Sequence, residues 1–136
     1  MLKSEPTVEK FMTYQPYTIE DNKTLMEAVH MMEHFHIHHL PVTIDGKLAG
    51  LISSRDIKLL MSFSDVSPDS IFLSDIYQKD VYQVEPDVPI HYVTDEMVSR
   101  HYDCALVVQK DQLVGIFTTT DVCRALSHIV QQKDEE

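Results

Sequence analysis

The sequence predicts a mixed α/β (α+β) fold built from two pseudo-symmetric β-α-β-β-α units that pack sheet to sheet. A shift of 65 residues aligns 11–57 with 76–122 without a gap, which indicates an internal repeat. In each repeat, apolar residues recur first at helical spacing and then in two short runs joined by a turn. Because a unit of about 65 residues buries little surface alone, we expect the two units to share one core.

The first repeat contains a short extended run, a helix, two strands and a closing helix, predicted at 17–19, 25–35, 40–44, 47–52 and 54–61. Thr24 is a suitable cap for the first helix. The apolar stripe of that helix consists of Leu25, Ala28, Val29, Met32 and Phe35. Asp45-Gly46 is a type I′ hairpin signal and separates the two strands.

The second repeat has the same order of elements, predicted at 81–84, 90–97, 105–108, 113–117 and from 119 to about 130. Pro89 is expected to start the first helix, since proline suits the beginning of a helix. Ile90, Val93 and Met97 form the matching apolar stripe, and Lys110-Asp111 takes the position of the hairpin turn.

The repeat also sets the expected domain organisation. The first unit should cover 7–61 and the second 71–130. The stretch 62–70 between them is polar and contains Pro68, which is typical of a linker. The charged stretch 131–136 is expected to be a flexible tail.

Composition and charge exclude several classes of protein. The 136 residues include 11 Lys and Arg against 22 Asp and Glu, a formal net charge of −11. A surface this acidic repels nucleic acid, because no cluster of basic residues offsets it. The longest apolar run, 104–108, is far shorter than the about 20 residues that a transmembrane helix needs, so we expect no membrane insertion.

The beginning of the sequence and its cysteines indicate a compartment. Residues 1–6 lack the apolar region of a secretory signal. Cys104 and Cys123 form no CxxC pair and cannot supply a disulfide framework. We therefore expect a cytoplasmic protein.

Both repeats carry one motif where the second hairpin strand runs into the closing helix. A glycine is followed by two apolar residues and a hydroxyl residue, and an aspartate lies three positions after the hydroxyl residue, at 50–56 and 115–121. The hydroxyls of Ser53 and Thr118 lie where a helix begins, and the free N–H groups there favour a phosphate. The aspartates can accept from both hydroxyls of a ribose. A helix-capping box gives the same pattern without any ligand, so both interpretations stay open.

With these two turns, Leu40-Pro41-Val42 on the middle strand and Met12-Thr13 before the first strand, the sequence resembles a tandem pair of CBS (cystathionine-β-synthase) domains over about residues 7–130. The resemblance implies a stand-alone Bateman module: a non-enzymatic sensor that binds an adenosyl ligand in the clefts between two CBS units and signals to a partner protein. It implies AMP, ADP, ATP, NAD or S-adenosylmethionine as the regulatory ligand. Mg²⁺ would accompany a phosphorylated ligand, and no covalent cofactor is implied. Such modules commonly form homodimers.

The resemblance also implies a set of ligand contacts around each turn. In the first, Asp56 takes the ribose and Ser53 and Arg55 take the phosphate. The base is then lined by Gln15, Pro16, Tyr17, His39 and Leu40. In the second, Asp121 takes the ribose and Thr118 the phosphate. Its base is lined by Lys79, Asp80, Val81 and Ala105.

The second repeat departs from the family pattern at three places. Tyr77-Gln78 replace Met12-Thr13, Leu106 replaces Pro41, and Thr120 stands where the first repeat has Arg55. The loss of the cation weakens the second phosphate site, so the two sites are expected to be unequal, with one of them empty in the extreme case.

A crowded group of histidines leaves a metal site open as an alternative. His30 and His34 are four residues apart on one helix, a spacing found in metal sites. Spacing fixes no third ligand, and a solvated helix face gives the same pattern. His101 and Cys104 lack the third, orienting group of a thiol nucleophile, so Cys104 is expected to be a small buried side chain.

Three classes of function therefore remain: the adenosyl-ligand sensor, a ligand-free dimerisation or scaffold module, and a histidine-based metal protein or small enzyme. Independently of the resemblance, the sequence predicts a homodimer. The apolar residues 59–61 are consecutive, as are Ala125 and Leu126, so a single inward stripe cannot bury all of them.

Overall fold

A computed structural model describes residues 5–63 and 65–135. Residues 1–4, on which the expectation about a secretory signal mainly depends, lie outside this range. Residue 64 of the predicted linker and residue 136 of the predicted tail also lie outside it. The helices are α1 (Val8–Phe11), α2 (Leu25–Phe35), α3 (Ser54–Met61), α4 (Ile90–Arg100) and α5 (Thr119–Glu135). The strands are β1 (Thr13–Tyr14), β2 (Ile19–Glu20), β3 (His39–Ile44), β4 (Lys47–Ser53), β5 (Gln83–Val84), β6 (Cys104–Gln109) and β7 (Gln112–Thr118). A short 3₁₀ turn lies at Leu73–Asp75.

The observed order of elements confirms the predicted mixed α+β class. Both repeats run strand, helix, strand, strand, helix, from β2 to α3 and from β5 to α5. The segment ahead of each repeat adds local structure that periodicity did not predict, namely α1 and β1 before the first and the 3₁₀ turn before the second.

The chain divides into two compact units that do not coincide with the sequence repeats. One, the continuous unit, spans Tyr17–Val81. The other, the split unit, combines the described residues up to Pro16 with those from Tyr82 onward. The segment ahead of each repeat is therefore assigned to the compact unit of the other repeat. The boundaries 7–61 and 71–130 were derived from the repeat in the sequence, and as domain boundaries they remain a prediction.

The continuous unit is built on a three-stranded sheet in the order β2-β3-β4. Strands β2 and β3 are parallel, and β3 and β4 form the predicted hairpin, with Asp45 and Gly46 at positive φ angles of 52° and 80° as a type I′ turn requires. Its core consists mainly of Ile19, Leu25, Ala28, Met32, Leu40, Val42, Ile52, Ile57 and Leu73. This core contains the buried part of the stripe that the sequence predicted for α2.

The split unit is built on a four-stranded sheet in the order β1-β7-β6-β5. Strand β1, from the beginning of the chain, pairs antiparallel with β7, and Thr13 faces Ile116 in the register. Its core consists of Val8, Met12, Ile90, Val93, Met97, Ala105, Val107, Phe117 and Ala125. Residues from both ends of the chain thus share one hydrophobic core.

Two helix boundaries show how far local signals reach. Thr24 caps α2 as predicted: its hydroxyl accepts from the backbone N–H of Glu27, and the Glu27 carboxylate accepts from the N–H of Thr24. The end of α5 was predicted wrongly, because the helix continues to Glu135 instead of ending near Val130, while the flexibility of 131–136 stays a prediction. The stretch from Gln131 to Glu135 contains neither glycine nor proline, so no local signal ends the helix there.

Candidate functional site

The first candidate turn lies in the continuous unit, where β4 ends and α3 begins. The Ser53 hydroxyl accepts from the backbone N–H of Asp56 at 3.2 Å, and the Asp56 carboxylate accepts from the N–H of Ser53 at 3.2 Å. This is a complete capping box, so the capping interpretation of the motif is confirmed for this turn. Because the Ser53 oxygen accepts this bond, its own proton remains available for a further acceptor.

Asp56 receives a second donor from the segment ahead of the second repeat. The Gln78 side-chain amide donates to Oδ1 of Asp56 at 3.3 Å, across 22 positions of sequence. Within residues 5–63 and 65–135, the Ser53 N–H and this amide are the donors that reach the carboxylate. A carboxylate has about four lone-pair positions, so half of the capacity of Asp56 is unused. The side chain is half-buried, and Arg55 beside it is exposed.

Three predicted base-lining residues, Tyr17, His39 and Leu40, belong to this unit and differ in what they can offer a ligand. His39 faces Ser53 across the β3–β4 ladder, and Leu40 faces Ile52. The Leu40 side chain is completely buried in the core, so it can offer a ligand only its backbone. Tyr17 is 51% exposed and stacks on Phe35, with ring centroids 3.8 Å apart.

Lys79, Asp80 and Val81, which were predicted to line the second site, belong to the continuous unit. Lys79 and Asp80 are exposed and Val81 is half-buried. The Lys79 ammonium lies 5.8 Å from the centroid of the Tyr77 ring, a cation–π contact. Conversely, Gln15 and Pro16 of the predicted first site belong to the split unit, where the Gln15 N–H donates to the Val114 carbonyl at 3.1 Å.

The second candidate turn, in the split unit, has a different hydrogen-bond pattern. Asp121 is only 1% exposed, and four donors reach its carboxylate. These donors are the Thr118 N–H at 2.9 Å, the Thr118 hydroxyl at 3.2 Å, the Thr13 hydroxyl at 3.1 Å and the Arg124 guanidinium at 2.9 Å. The Thr118 hydroxyl donates to its own aspartate here, whereas Ser53 in the first turn accepts. Ala105, predicted to line this site, is completely buried.

The glycines of the two motifs are explained by the segments that pack on them. A Cβ atom on Gly50 would lie 2.0 Å from the Gln78 carbonyl oxygen, and one on Gly115 would lie 2.3 Å from the Met12 sulfur. The Leu51 N–H also donates to the Gln78 carbonyl at 2.9 Å. Each glycine thus lets the segment ahead of the other repeat approach the strand closely.

Sequence reasoning did not assign Thr13, Gln78 and Arg124 to the aspartates that they contact. The shift of 65 residues places Thr13 and Gln78 at equivalent positions, and both are polar in otherwise mixed segments. That equivalence was the available signal. It could not be used without knowing that each segment packs in the compact unit of the other repeat.

The sequence also offered the His30–His34 pair and the residues His101 and Cys104 as candidates. Among the described residues, His30 and His34 do not join a third His, Cys, Asp or Glu at distances that a metal ion would need. Burial raises the pKa of the Cys104 thiol to about 12, so the thiol is protonated at neutral pH and suits a packing role. His38 lies with Nδ1 at 3.2 Å from the Ser54 hydroxyl.

No helix of the described residues combines the length and the apolar character that crossing a bilayer requires.

Comparison with known proteins identifies relatives over nearly the whole chain. The sequence profile described as "CBS domain" matches twice, at residues 8–62 and 73–128. A solved structure provisionally described as an acetoin utilization protein (AcuB) from Vibrio cholerae is 30% identical, with a TM-score of 0.87 and 98% of each chain covered. The CBS domain pair of protein MJ0100, solved in complex with 5′-methylthioadenosine and S-adenosyl-L-methionine, is 26% identical, with a TM-score of 0.81 and coverage of 92% of this chain and 98% of that chain.

A curated relative shows the same module inside a larger protein. Homoserine O-acetyltransferase of Methanohalobium evestigatum is 32% identical over 111 residues, which cover 80% of this chain and 22% of the relative. The chain thus spans about a quarter or less of the length of the first curated relatives that it matches. Since the two profile matches cover most of the described residues and coincide with the two repeats, the chain belongs to the CBS domain family as a tandem CBS pair.

Proposed function

We propose that this CBS pair is a non-enzymatic regulatory module that binds an adenosyl ligand at the Ser53–Asp56 turn and transmits its occupancy to a partner protein. The observation that carries the proposal is the half-buried Asp56 carboxylate, which has about two lone-pair positions unused beside the exposed Arg55. The MJ0100 relative, crystallised with two adenosyl compounds, supports the class of ligand.

The chemistry of this turn matches the parts of such a ligand. The 2′- and 3′-hydroxyls of a ribose are two donors, the number that Asp56 can still accept. The Ser53 hydroxyl and Arg55 would bind the charged group beyond the ribose, a phosphate or the carboxylate of S-adenosylmethionine. The backbone at His39 and Leu40 and the exposed ring of Tyr17 would contact the base.

We propose one well-formed site for each chain. The resemblance also implies a second set of ligand contacts, which consists of Lys79, Asp80, Val81, Ala105, Thr118 and Asp121. Its aspartate already accepts four protein donors, so it offers a ribose no unused position. AMP, ADP, ATP, NAD and S-adenosylmethionine all carry the diol that Asp56 would bind. The choice among them depends on the group beyond the ribose.

We also propose a cytoplasmic location, a compartment that contains all five compounds. Both cysteines are free, which agrees with a reducing compartment.

A ligand-free scaffold is the second candidate function, and one observation favours it. The complete capping box at Ser53 and Asp56 stabilises the beginning of α3 without any ligand. The two candidates differ in what Asp56 contributes: affinity for a ligand in one case and only local stability in the other.

Replacing Asp56 by alanine separates these two functions. If Asp56 accepts from a ribose, the change removes charge-assisted hydrogen bonds of roughly 1.5–3 kcal/mol and lowers the affinity for AMP or S-adenosylmethionine about 10- to 150-fold. If the residue only caps α3, the affinity stays the same and the free energy of unfolding falls by about 0.3–1 kcal/mol. Calorimetric titration and denaturant unfolding of the same preparations measure the two quantities.

Asp121→Ala is the matched control, since it removes the equivalent carboxylate of the second repeat. It is expected to lower the free energy of unfolding by about 1–3 kcal/mol, because the hydrogen bonds of a buried carboxylate are lost. The affinity measured for the first site should not change. Unchanged binding in the Asp56→Ala variant would reject the proposed site, and a parent that binds neither AMP nor S-adenosylmethionine would favour the scaffold.

We also propose that the protein is a homodimer. Leu59 and Met61 on α3 and Leu126 and Val130 on α5 are large apolar side chains that stay exposed in the single chain. Contiguous exposed apolar surface marks a site of association, and we propose that these side chains contribute to one in the dimer. In a homodimer, ligand binding to one copy could alter the second copy, and both copies could present the change to a partner protein.

A further inference from the structure

We propose that Arg124 is the residue that keeps the second aspartate, Asp121, closed to ligand and so sets the number of adenosyl sites in each chain to one. The inference rests on the proposed function, in which the equivalent Asp56 holds the ribose. It assigns a specificity-determining role to a residue that lies outside the repeated motif.

The repeat provides an internal comparison for this residue. Asp56 and Asp121 occupy equivalent positions, and three residues after them the chain has Leu59 and Arg124. Leucine has no donor, whereas the Arg124 guanidinium lies 2.9 Å from Oδ1 of Asp121. The two repeats therefore carry their arginine at different positions. The first has Arg55 directly before its aspartate, whereas the second has Thr120 at that position and Arg124 three residues after its aspartate.

The number of donors shows why this matters. Asp56 accepts from a backbone N–H and one side-chain amide, whereas Asp121 accepts from a backbone N–H, two hydroxyls and the guanidinium. Four donors fill the lone-pair positions of a carboxylate. A ribose diol can therefore bind Asp121 only if protein donors leave.

The four donors are not equally easy to displace. The hydroxyls of Thr13 and Thr118 can each rotate toward another acceptor, and the backbone N–H has its counterpart in the open first turn. The Arg124 bond is charge-assisted, and it also cancels the negative charge that would attract ribose hydroxyls. Arg124 is thus the charged donor that the closed aspartate has and the open one lacks.

The position of Arg124 suits this role. Its side chain is 64% exposed, while that of Asp121 is 1% exposed. Arg124 therefore contacts the buried carboxylate through a side chain that is mostly exposed and lies outside the hydrophobic core cluster of this unit. Its removal should open a path to Asp121 and leave the core of the split unit intact.

The experiment compares the parent with Arg124→Leu, which gives the second repeat the leucine of the first. Calorimetric titration with AMP and with S-adenosylmethionine is expected to change from one binding event in each chain to two. In the double variant with Asp56→Ala, one event should remain, at the second turn. Arg100→Leu is the control, because Arg100 forms an exposed ion pair with Glu96 on α4 of the same unit.

A second measurement does not depend on any ligand. Carbodiimide with an amine nucleophile labels accessible carboxylates, and peptide mass spectrometry locates the label. We expect the labelling of Asp121 to rise at least tenfold in Arg124→Leu and to stay at the parent level in Arg100→Leu and in Arg124→Lys, which keeps the charge.

The outcomes separate this inference from the proposed function. If the parent binds a probe and Arg124→Leu gains neither a second event nor labelling of Asp121, the inference is overturned while the proposed function stands. Labelling without a second event also overturns it, because an open carboxylate would then not suffice for binding. If no protein binds either probe, the proposed function fails, and unchanged labelling of Asp121 would overturn the role of Arg124 as well.

Discussion

Asp56 and Asp121 show how neighbours decide the role of one residue type. Both follow a hydroxyl residue by three positions and accept from its backbone N–H at the beginning of a helix. One is half-buried with capacity to spare, and the other is buried with every lone-pair position in use. The motif therefore specifies the cap, and residues outside the motif specify whether a ligand can also bind.

The candidate site could be predicted from the sequence only where its contacts are local. Ser53 and Asp56 are three residues apart, so their pattern is visible in the sequence, and the structure brings them into contact. The Gln78 and Thr13 donors lie 22 and 108 positions from the aspartates that they contact. No periodicity or composition signal connects residues over such separations.

The two cysteines allow a test at the scale of single residues. Burial raises the pKa of Cys104 from its ordinary value of 9.0 to about 12, whereas Cys123 on α5 is exposed. Thiolates, not thiols, react with disulfide reagents. At pH 8 we therefore expect one thiol of each native chain to react rapidly and two after unfolding in denaturant. In Cys123→Ser the rapid phase should vanish, and a rapid phase that survived would contradict the burial of Cys104.

The same shift gives a direction for stability against pH. The folded state keeps the Cys104 proton up to a higher pH than the unfolded state does, because its pKa is raised. The unfolded state therefore loses this proton first, and the contribution of Cys104 to the free energy of unfolding falls as pH rises from about 9 toward 12. Below pH 9 this contribution is complete.

At the scale of elements, the helices and hairpins of the two repeats were predictable, the predicted extended runs 17–19 and 81–84 overlap β2 and β5, and β1 was not predicted. The apolar stripe of α2, its Thr24 cap and the Asp45-Gly46 turn are local patterns, and the structure confirms them. Strands β1, β2 and β5 have two residues each, which is too short for a period-two pattern. Their positions depend on pairing with distant strands, as when β1 pairs with β7.

The close packing of these segments on the glycines yields a prediction with an internal control. In Gly50→Ala the new methyl group meets the Gln78 backbone carbonyl, which the Leu51 N–H already holds in place. In Gly115→Ala it meets the flexible side chain of Met12, which can adopt another rotamer. We expect the first change to lower the free energy of unfolding by roughly 2–3 kcal/mol and the second by about 1 kcal/mol. Denaturant unfolding measures both, and equal losses would show that the backbone contact is not the limiting one.

At the scale of the whole molecule, each compact unit depends on both repeats. The beginning of the chain contributes Val8 and Met12 to the core of the split unit, and the segment ahead of the second repeat contributes Leu73 to the core of the continuous unit. A single repeat cut from the chain would lack one of these segments. This exchange of segments explains why the boundaries of the repeats differ from those of the compact units.

The consecutive apolar residues of the closing helices divide as the sequence analysis anticipated. Ala125 is buried in the core of the split unit, whereas its neighbour Leu126 is 62% exposed. On α3 the consecutive residues Leu59, Leu60 and Met61 separate in the same way, with Leu59 65% exposed and Leu60 half-buried. Leu59 and Leu126 are therefore the better sites for testing the proposed homodimer.

Replacing Leu126 by aspartate is expected to weaken the homodimer at least tenfold, because it places a charge where an apolar side chain would be buried. Light scattering at tens of micromolar should give about twice the 15.7 kDa mass of one chain for the parent and a value near one chain for the variant. Ser127→Asp, which adds the same charge at the adjacent exposed position, is the control and should stay dimeric. Two copies with a net charge of −11 each repel one another, so salt should strengthen the dimer of the parent. A parent that scatters as a single chain even in 0.5 M salt, a concentration at which the Debye length is about 4 Å, would reject the proposed dimer.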